Sequence, residues 1–403
     1  MKSLFLIGFF CLLSWQEVRL SNAPEQSVWA EYYLKSAQTI ENDQQVLVLE
    51  SQALDRQNIP LPTPSSKFGF DVNAENDWYF SLAGQHILSA LLTWQTPSGG
   101  WSKRTDMSVP RLSGQLWGVE PNYVPTFDNH ATTSQLHILA KAYTLLNDRR
   151  YEHAFYNGLS LILQSQYPNG GWPQNYPLRG NYHDHITFND GVMVNIMHLL
   201  FAVAEAKPPF SFISPEIRQQ AELALEKAIK LVIRLQQCDS QGYSLWAAQY
   251  HHLTLQPSWA RAYEMPALAS MESAEILSFL MDLPEPSTIL QNRIHAAMAW
   301  FERHRLQQKY WHPEIRELQY QADAGPLWPR FAEIGSNKAL FGDRDGQIYF
   351  DVHQISMERR RGYAWYTQRP EFTQKKYQEW LNKHQFKITH QQSNFNSCIS
   401  ENR

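Results

Sequence analysis

Two Thr-Phe segments carry the acidic residues that are best placed to do chemistry. Asp128 lies in TFDNHAT and Asp190 in TFNDG, and a third segment, ASMES, carries Glu272. All three stand where we predict a helix to start. Asp and Asn are common N-caps, and acids suit the positive end of the helix dipole, so one interpretation is structural. The other is that parallel helix starts converge and that Asp128 and Asp190 hold a hard cation such as Ca²⁺ through their oxygens.

Three arginines occupy loops that are rich in aromatic residues, Gly and Pro: Arg261 in WARAYEMP, Arg330 in LWPRF and Arg344 in GDRDG. Ligand-binding residues concentrate in such loops, and a guanidinium binds a carboxylate through two parallel donors. The arginines therefore predict a site for an acidic ligand. The structural alternatives are stacking of Arg330 on Trp328 and a surface ion network around Arg344. Lys103 follows the segment GGW and either lines the same rim or has a structural role.

Other candidates for chemistry are weaker. His183 and His185 are two positions apart, so they cannot share one face of a helix, and we interpret them as loop or core residues. The three consecutive arginines at 359–361 are typical of a solvated surface. The sequence has no glycine-rich phosphate loop, nucleophile elbow or zinc signature.

A repeat with a period of 71 residues positions these segments. QTPSGGW at 95–101 recurs as QYPNGGW at 166–172 and, more weakly, as QCDSQGY at 237–243. One further period ends at Gln308, where the Gly-Gly-Trp part is missing. Units of this length predict an architecture in which neighbouring units bury each other's apolar faces.

Each unit contains two predicted helices, and the second of them starts at the acidic segment. Apolar residues recur at spacings of three and four, which places them on one helix face. The predicted faces are Phe80, Ala83, Ile87, Leu91 and Trp94; Leu136, Leu139, Ala140 and Tyr143; Val194, Met197, His198 and Phe201; and Ala224, Ala228, Leu231 and Leu235. We predict an all-α fold, an (α/α) toroid of repeated helical hairpins with a loop-rich active-site face.

Composition excludes several classes of protein. Lys and Arg total 35 against 39 Asp and Glu, so the formal net charge is −4, which argues against a nucleic-acid-binding protein. Aromatic residues make up 13% of the chain and charged residues 18%, whereas disordered chains are poor in aromatics and rich in charge. The three cysteines, Cys11, Cys238 and Cys398, are too few and too scattered for a disulfide framework or a zinc site.

The ends of the chain differ in composition from the toroid. Residues 1–23 combine Lys2, a short apolar run and small residues, which predicts a signal peptide; a buried N-terminal strand is the alternative. We find no stretch that is apolar for long enough to span a membrane. We therefore predict a secreted or periplasmic monomer. Its parts are a peripheral extension at 24–70, the toroid at 71–370 and a mobile or loosely packed tail at 371–403.

Several long segments resemble one enzyme family. QYPNGGWPQNYPLRGNYHDHITFNDGVM at 166–193 is similar to the signature of the toroidal pectate lyases, polysaccharide lyase family ten. The likeness continues in GGWSKRTDM, TFDNHAT, WARAYEMPAL, WPRFAEIGSNKALFGDRDG and ERRRGYAWY, and it covers roughly residues 75–366. The resemblance implies a secreted toroidal enzyme that cleaves polygalacturonate by Ca²⁺-assisted β-elimination.

Position by position, the resemblance also implies roles for residues. Asp128 and Asp190 match the acids of the family's calcium-dependent centre, and we count Asp128 among the catalytic residues as well. Arg261 matches the family's proposed catalytic base. The predicted substrate-binding residues are Arg330 and Arg344, which match the family, and Lys103 at the rim. A guanidinium is seldom neutral in a protein, so the base role requires that Ca²⁺ and nearby cations lower the pKa of Arg261, and it predicts an alkaline optimum.

Two departures from the family pattern are present. His130 stands where the family has Gly, and the stretch at 267–271 differs from the family's small residues, which leaves the role of Glu272 open. Three other interpretations also stay open. A toroidal glycoside hydrolase could use Asp128 and Asp190 as acid and base. Terpenoid cyclases pair Gln with Gly and Trp, although the Asp-rich motif that they need is missing here. A non-catalytic protein would bind uronate and release nothing.

Overall fold

The computed structural model describes residues 23–53, 59–120, 124–240 and 242–384. Its helices are α1 (Ala23–Gln52), α2 (Asn76–Phe80), α3 (Leu82–Thr93), α4 (Thr133–Leu146), α5 (Arg149–Gln164), α6 (Val192–Ala204), α7 (Pro215–Leu235), α8 (Ser270–Leu280), α9 (Thr288–His304), α10 (Met357–Gly362) and α11 (Arg369–His384). Short strands connect them, and none of the helices described is long and apolar enough to cross a membrane.

The strands form small antiparallel sheets. They are β1 (Ile186–Thr187), β2 (Cys238–Asp239), β3 (Gly242–Tyr243), β4 (Gln249–Tyr250), β5 (Leu268–Ala269), β6 (Lys309–Trp311), β7 (Leu318–Tyr320), β8 (Trp328–Pro329), β9 (Phe331–Ala332), β10 (Ala339–Gly342), β11 (Ile348–Tyr349) and β12 (Tyr366–Thr367). One sheet has four strands in the order β11-β10-β9-β5, and the others are the pairs β1-β4, β2-β3, β6-β7 and β8-β12.

Helical hairpins make up the body of the fold. Helices α4, α6 and α8 pack against the helices that follow them, α5, α7 and α9. Along the chain, α4 also contacts α6, α6 contacts α8, and α8 contacts α11, so these four helices form an inner series. Helices α5 and α7 pack against each other and belong to an outer series. A single large apolar cluster lies between the two series. The predicted all-α (α/α) toroid is confirmed.

Most of the predicted helix faces are buried, but the first is only partly confirmed: Leu91 and Trp94 are buried, whereas Phe80 and Ala83 are exposed. Leu136, Leu139 and Ala140 of α4 are buried, as is the predicted face of α7. In the first unit the helix is interrupted at Ser81, whose side chain caps α3 by accepting from the Gly84 N–H at 3.0 Å. This cap restarts the helix in a different register, so Phe80 is exposed and Leu88, which is not on the predicted face, is buried beside Leu91.

The glutamines of the repeat tie each outer helix to the next. Gln95 Nε2 donates to the carbonyls of Gly99 and Ala154, and Gln166 Nε2 donates to those of Gly170 and Ala224. In the third unit, the residue that bonds in this way is Gln236, which donates to the carbonyls of Ser244 at 2.8 Å and Arg293 at 3.1 Å. The predicted equivalent, Gln237, is therefore displaced by one residue from the structural repeat.

Four tryptophans mark four structural units. The indole N–H groups of Trp101, Trp172, Trp246 and Trp328 donate to the carbonyls of Leu91, Ile162, Val232 and Phe301. These carbonyls lie in α3, α5, α7 and α9 respectively, so each Trp fastens its loop to the outer helix that precedes it. The fourth unit, which the sequence repeat seemed to lose at Gln308, is completed at Trp328 after the β6–β7 hairpin.

Helix α1 packs across the loops of the repeat. Trp29 and Tyr32 are buried, and the Tyr32 hydroxyl donates to the Ser165 carbonyl at 2.8 Å. The Asp43 carboxylate accepts from the backbone N–H and hydroxyl of Ser98, in the first repeat loop. The segment predicted as a peripheral extension thus joins two units. The predicted signal peptide, apart from Ala23 at the start of α1, lies outside the described residues.

The chain after Pro370 is more ordered than its composition indicates. Residues 371–384 belong to α11, in which Trp380 and Leu381 are buried. The helix packs against α8 and α9, and the Thr373 hydroxyl donates to the carbonyl of Ala274 at 3.2 Å. The expectation of a mobile or loosely packed tail is wrong for these residues, because a few apolar positions suffice to pack an otherwise polar helix against the fold. Residues 385–403 lie outside the described structure.

Candidate active site

The repeat brings the tryptophan loops and the starts of the inner helices together. The carbonyls of Trp101, Trp172 and Trp246 accept from the backbone N–H groups of Thr126, Thr187 and Ala269. The next residues, Phe127, Phe188 and Ser270, donate to the carbonyls of Gln174, Ala248 and Arg330, each two positions after the Trp of the following unit. Each inner helix start is therefore bonded to its own loop and to the loop of the next unit.

This bonding defines equivalent positions in three units. Thr126, Thr187 and Ala269 are equivalent to one another in the three units. Two positions later the residues are Asp128, Asn189 and Met271, respectively. Three positions later they are Asn129, Asp190 and Glu272. The acids predicted from the sequence thus occupy neighbouring positions of one structural motif. Glu272, whose role the sequence left open, is the equivalent of Asp190.

The first two helix starts share an unusual backbone. Each begins as a single turn of 3-10 helix, Asp128–His130 and Asn189–Gly191. The middle residue is left-handed in both, with φ of 50° at Asn129 and 52° at Asp190. Asn and Asp are the non-glycine residues that tolerate this conformation best, and strained residues of this kind cluster at functional sites.

These elements surround a cleft of about 230 Å³. Its walls carry Lys103, Arg104, Asp128, Asn129, Gln174, Tyr182, Asn189, Asp190, Gln249, Arg261, Glu264, Gly362, Tyr363 and Ala364. Four of the residues singled out in the sequence therefore face one space: Lys103, Asp128, Asp190 and Arg261. A polar cleft with convergent charges is the default candidate for an active site.

The two aspartates differ in their surroundings. Asp128 is 1% exposed; one oxygen accepts from Lys103 Nζ at 2.5 Å and the other from Asn129 Nδ2 at 3.1 Å. Burial and then the charge of Asp128 raise the pKa of Asp190 to about 6, while the guanidinium of Arg330 acts in the opposite direction. The cleft therefore concentrates negative charge at a point that a bound cation would relieve.

Arg261 is held by a carboxylate on its own loop. Its Nε and Nη2 donate to the two oxygens of Glu264 at 2.8 and 2.5 Å. Burial disfavours the charge of Arg261, but the paired carboxylate outweighs it, so the pKa of Arg261 lies well above its ordinary value. The pair with Glu264 therefore acts against the lowering of this pKa that the base role requires, and the lowering by Ca²⁺ stays a prediction.

Arg330 lies under the cleft rather than in its wall. It is buried, its Nη2 donates to Glu272 at 2.5 Å, and its guanidinium lies 4.5 Å from the centre of the Tyr363 ring. The positive charge of Arg330 still acts on Asp190 and offsets part of the rise in the pKa of Asp190. Arg330 thus supports the acidic part of the site from below, and the alternative of stacking on Trp328 is replaced by stacking on Tyr363.

Arg344 does not line the cleft. Its side chain is 65% exposed and pairs with Glu358 through two bonds of 3.1 Å. The same carboxylate also accepts two bonds from Arg359, which is buried beside the ring of Tyr263. The interpretation of 359–361 as a solvated surface is therefore wrong for Arg359, since Glu358 neutralises it and Tyr263 covers its face.

The oxygen atoms at the site suit a hard cation. Asn189 Oδ1, Gln174 Oε1, Gln249 Oε1 and Glu272 Oε2 are buried without a hydrogen-bond partner among the described residues. Asp128 and Asp190 add carboxylate oxygens, and oxygen is the donor atom that Ca²⁺ prefers, while Lys103 Nζ lies 2.5 Å from one oxygen of Asp128. Within the described chain, no three His, Cys, Asp or Glu side chains are grouped closely enough to hold a metal alone. The protein therefore offers a partial shell, which fits Ca²⁺ that also takes oxygens from a ligand.

Sequence reasoning did not find Gln174, Glu264 and Tyr363. Gln174 stands two positions after Trp172, as Lys103 and Arg330 stand two positions after Trp101 and Trp328, so this spacing was a usable signal. Glu264 and Tyr363 meet across 99 residues of chain, and nothing local indicates their contact.

Comparison with known proteins gives a consistent result. A family model described as pectic acid lyase matches residues 95–373. A family 10 polysaccharide lyase from Cellvibrio cellulosa is 31% identical, with a TM-score of 0.67 over 74% of this chain and 94% of that one. A mutant of a family 10 polysaccharide lyase from the same organism, in complex with trigalacturonic acid, is 29% identical over 76% and 98%, also with a TM-score of 0.67. The curated proteins include no match.

Proposed function

The chain belongs to the pectic acid lyase family and is a polysaccharide lyase, and we propose that it cleaves polygalacturonate by calcium-assisted β-elimination. The observation that carries this proposal is the cleft itself. Its lining includes the cations Lys103 and Arg261 and the acids Asp128 and Asp190, and Lys103 Nζ lies 2.5 Å from Asp128. The products would be 4,5-unsaturated oligogalacturonides.

The charge of the cleft supports an acidic polysaccharide as substrate. Although the whole chain carries a formal net charge of −4, the local field decides what binds in a groove. Lys103 and Arg261 face the cleft, and Arg330 lies beneath it. A similar structure holds trigalacturonic acid, which supports a uronate chain as the ligand. Arg344, on the exposed surface, is proposed to meet the substrate beyond the cleft.

Asp128 and Asp190 are the residues that we propose hold Ca²⁺. The ionisation of Asp190 is opposed by Asp128, and buried oxygens of Asn189 and Glu272 lack partners among the described residues. Bound there, Ca²⁺ would neutralise the substrate carboxylate next to C5 and so make the C5 proton more acidic. Lys103, which already pairs with Asp128, and the substrate carboxylates would complete the charge balance of the site.

The chemical step requires a base near C5. When the base takes the proton, the C5–H electron pair forms the second bond between C4 and C5. The C4–O bond then breaks with its electrons, and the leaving oxygen takes a proton from water. We assign the base to Arg261, which lines the cleft, with Asp128 in the charge-stabilising set. Because Glu264 raises the pKa of Arg261, this role requires alkaline conditions and predicts that the rate rises with pH.

The proposed place of action is outside the cytoplasm. The signal-peptide pattern at 1–23 supports a secreted or periplasmic enzyme, where pectic polymers are accessible.

The experiment that tests this function follows the products from polygalacturonate. β-Elimination creates one C4–C5 double bond for every chain break, so ultraviolet absorbance and new reducing ends should appear in a one-to-one ratio. A hydrolase that used Asp128 and Asp190 as acid and base would release reducing ends without the absorbance. Binding without either signal would identify a uronate-binding protein. Either of these results would overturn the proposal.

A further inference from the structure

Glu264 is a buried carboxylate in the wall of the cleft. The proposed reaction gives it no contact with Ca²⁺ or substrate. It is 3% exposed and lies three residues after Arg261 in a tight turn. The turn is closed by backbone bonds from Glu264 N–H to the Arg261 carbonyl at 2.8 Å and from Ala260 N–H to the Glu264 carbonyl at 3.1 Å. The two side chains are therefore held by the same short segment.

The carboxylate of Glu264 is fully occupied. One oxygen accepts from Arg261 Nη2 at 2.5 Å and from the Tyr363 hydroxyl at 2.8 Å. The other accepts from Arg261 Nε at 2.8 Å and from the Arg261 backbone N–H at 3.1 Å. Four donors satisfy the four main acceptor sites of a carboxylate. Glu264 thus has no free acceptor for Ca²⁺ or for a substrate hydroxyl.

The same bonds fix which part of Arg261 remains available. Nε, Nη2 and the backbone N–H all point to Glu264, whereas Nη1 has no hydrogen-bond partner among the described residues. Because Arg261 lines the cleft, Nη1 is the nitrogen left for a ligand. The ring of Tyr263 lies 5.0 Å from the guanidinium and limits its rotation.

We propose that Glu264, itself fixed by the hydroxyl of Tyr363, is a positioning residue that clamps one edge of the Arg261 guanidinium and presents Nη1 to the C5 proton of the bound uronate. The proposal rests on the proposed lyase function. It assigns Glu264 no contact with the substrate: the residue acts through Arg261 alone.

The charges around Arg261 decide the sign of the expected pH effect. Glu264, Tyr363 and Tyr263 favour its protonated form, and Asp190 and His183 are the other titratable groups that interact with it. Removing the charge of Glu264 lowers the pKa of Arg261, so a rate that needs neutral Arg261 should rise at lower pH than in the native enzyme. Removing the Tyr363 hydroxyl takes away a smaller contribution of the same sign, so the pKa of Arg261 should fall less and the rise should move to lower pH by a smaller amount.

The experiment compares Glu264→Gln, Tyr363→Phe and the control Glu50→Gln on trigalacturonate and polygalacturonate. Glu50 also accepts two bonds from one arginine, through Nη1 and Nη2 of Arg111, and neither residue lines the cleft. For Glu264→Gln we expect kcat to fall by at least about tenfold with KM changed less than about threefold, and the midpoint of the pH–rate profile to move to lower pH. Glu50→Gln should retain the native profile.

Tyr363→Phe keeps the ring and removes only the hydroxyl, so it serves if Glu264→Gln does not fold. We expect a smaller loss of kcat than for Glu264→Gln and a smaller movement of the midpoint to lower pH. The proposal is overturned if the folded variants keep the native midpoint, or if their loss lies in KM alone. Absence of unsaturated product from the native enzyme is a different result, because it overturns the proposed function whatever the variants do.

Discussion

Burial and the charge of Asp128 both oppose the ionisation of Asp190, so the protonation state of Asp190 should control calcium binding. With its pKa raised to about 6, its carboxylate takes up a proton below that value and loses its charge. We expect Ca²⁺ to bind at least about tenfold more weakly near pH 5 than near pH 8, where the carboxylate is ionised. Calorimetric titration of Ca²⁺ into the Arg261→Ala variant bound to trigalacturonate measures this without turnover.

Asp190→Asn is the control for that titration. It should bind Ca²⁺ weakly and without a pH-dependent change in the same range, because the titrating group is gone. Equal Ca²⁺ affinity at both pH values in the parent protein would contradict the role of Asp190 as a ligand.

Arg261 has two proposed uses that substitution separates. If it removes the C5 proton, Arg261→Lys and Arg261→Ala should both lose at least about 10²-fold in kcat, the low end for a positioned base. Pectate binding should fall much less, because Lys103 and the Ca²⁺ proposed at Asp128 and Asp190 still attract the substrate carboxylates. If Arg261 only holds the substrate, the loss should lie mainly in KM and Lys should recover much of it. Thermal melting beside the kinetics excludes unfolding, and a folded Arg261→Lys enzyme with near-native kcat would contradict the base role.

The sequence anticipated the charged residues of the cleft better than the residues that orient them. Lys103, Asp128, Asp190 and Arg261 stand in recognisable segments and face one space. The contact between Glu264 and the Tyr363 hydroxyl depends on the packing of distant loops, which no local pattern encodes. Segment patterns also do not distinguish an arginine in the cleft from Arg344, which lies on the surface.

At the scale of elements, the repeat explains why the site exists where it does. Each unit contributes a tryptophan loop and an inner helix start, and backbone bonds join neighbouring units at these points. The residue two positions after the tryptophan is Lys103, Gln174, Ala248 or Arg330 in successive units. The same backbone position thus carries a different side chain in each unit. The backbone bonding is repeated, and the side chains at this position determine the local charge of the site.

Periodicity predicted the first two units and missed details of the others. The third glutamine is displaced by one residue, and the β6–β7 hairpin inserts before Trp328 in the fourth unit. Insertions of this kind break a constant period in sequence while the stacking of hairpins continues. Likewise, the cap at Ser81 changed the register of α3, since a hydrogen bond from one side chain can restart a helix without altering the apolar pattern around it.

Gln236 provides a test of the structural repeat. Gln236→Ala removes two hydrogen bonds and leaves the buried carbonyls of Ser244 and Arg293 without this donor, so the free energy of unfolding should fall by about 1–3 kcal/mol. The neighbouring Gln237→Ala is the matched control, because Gln237 bonds within its own loop and to Tyr250 and does not join two units. Chemical denaturation measures both. A larger loss for Gln237→Ala would contradict the one-residue displacement.

At the scale of the whole molecule, recognition depends on many carboxylates along one polymer. Methyl esterification removes a negative charge from each modified uronate, and with it a partner for the cations of the cleft and an oxygen ligand for Ca²⁺. Highly esterified pectin should therefore show a kcat/KM at least about tenfold below that of polygalacturonate, measured by the rate of double-bond formation on polymers of matched length. De-esterification of the same sample should restore the rate. Faster cleavage of the esterified polymer would contradict recognition through carboxylates.

The central claim is that the acidic pair and the cations of one cleft act together as a calcium-assisted lyase site. The most direct measurement follows double-bond formation from polygalacturonate at alkaline pH, first in excess chelator and then after Ca²⁺ is restored. We predict that turnover stops in the chelator and returns with Ca²⁺, but returns far less with Mg²⁺, which accepts the open shell of Asp128 and Asp190 poorly. Full turnover in excess chelator would contradict the claim.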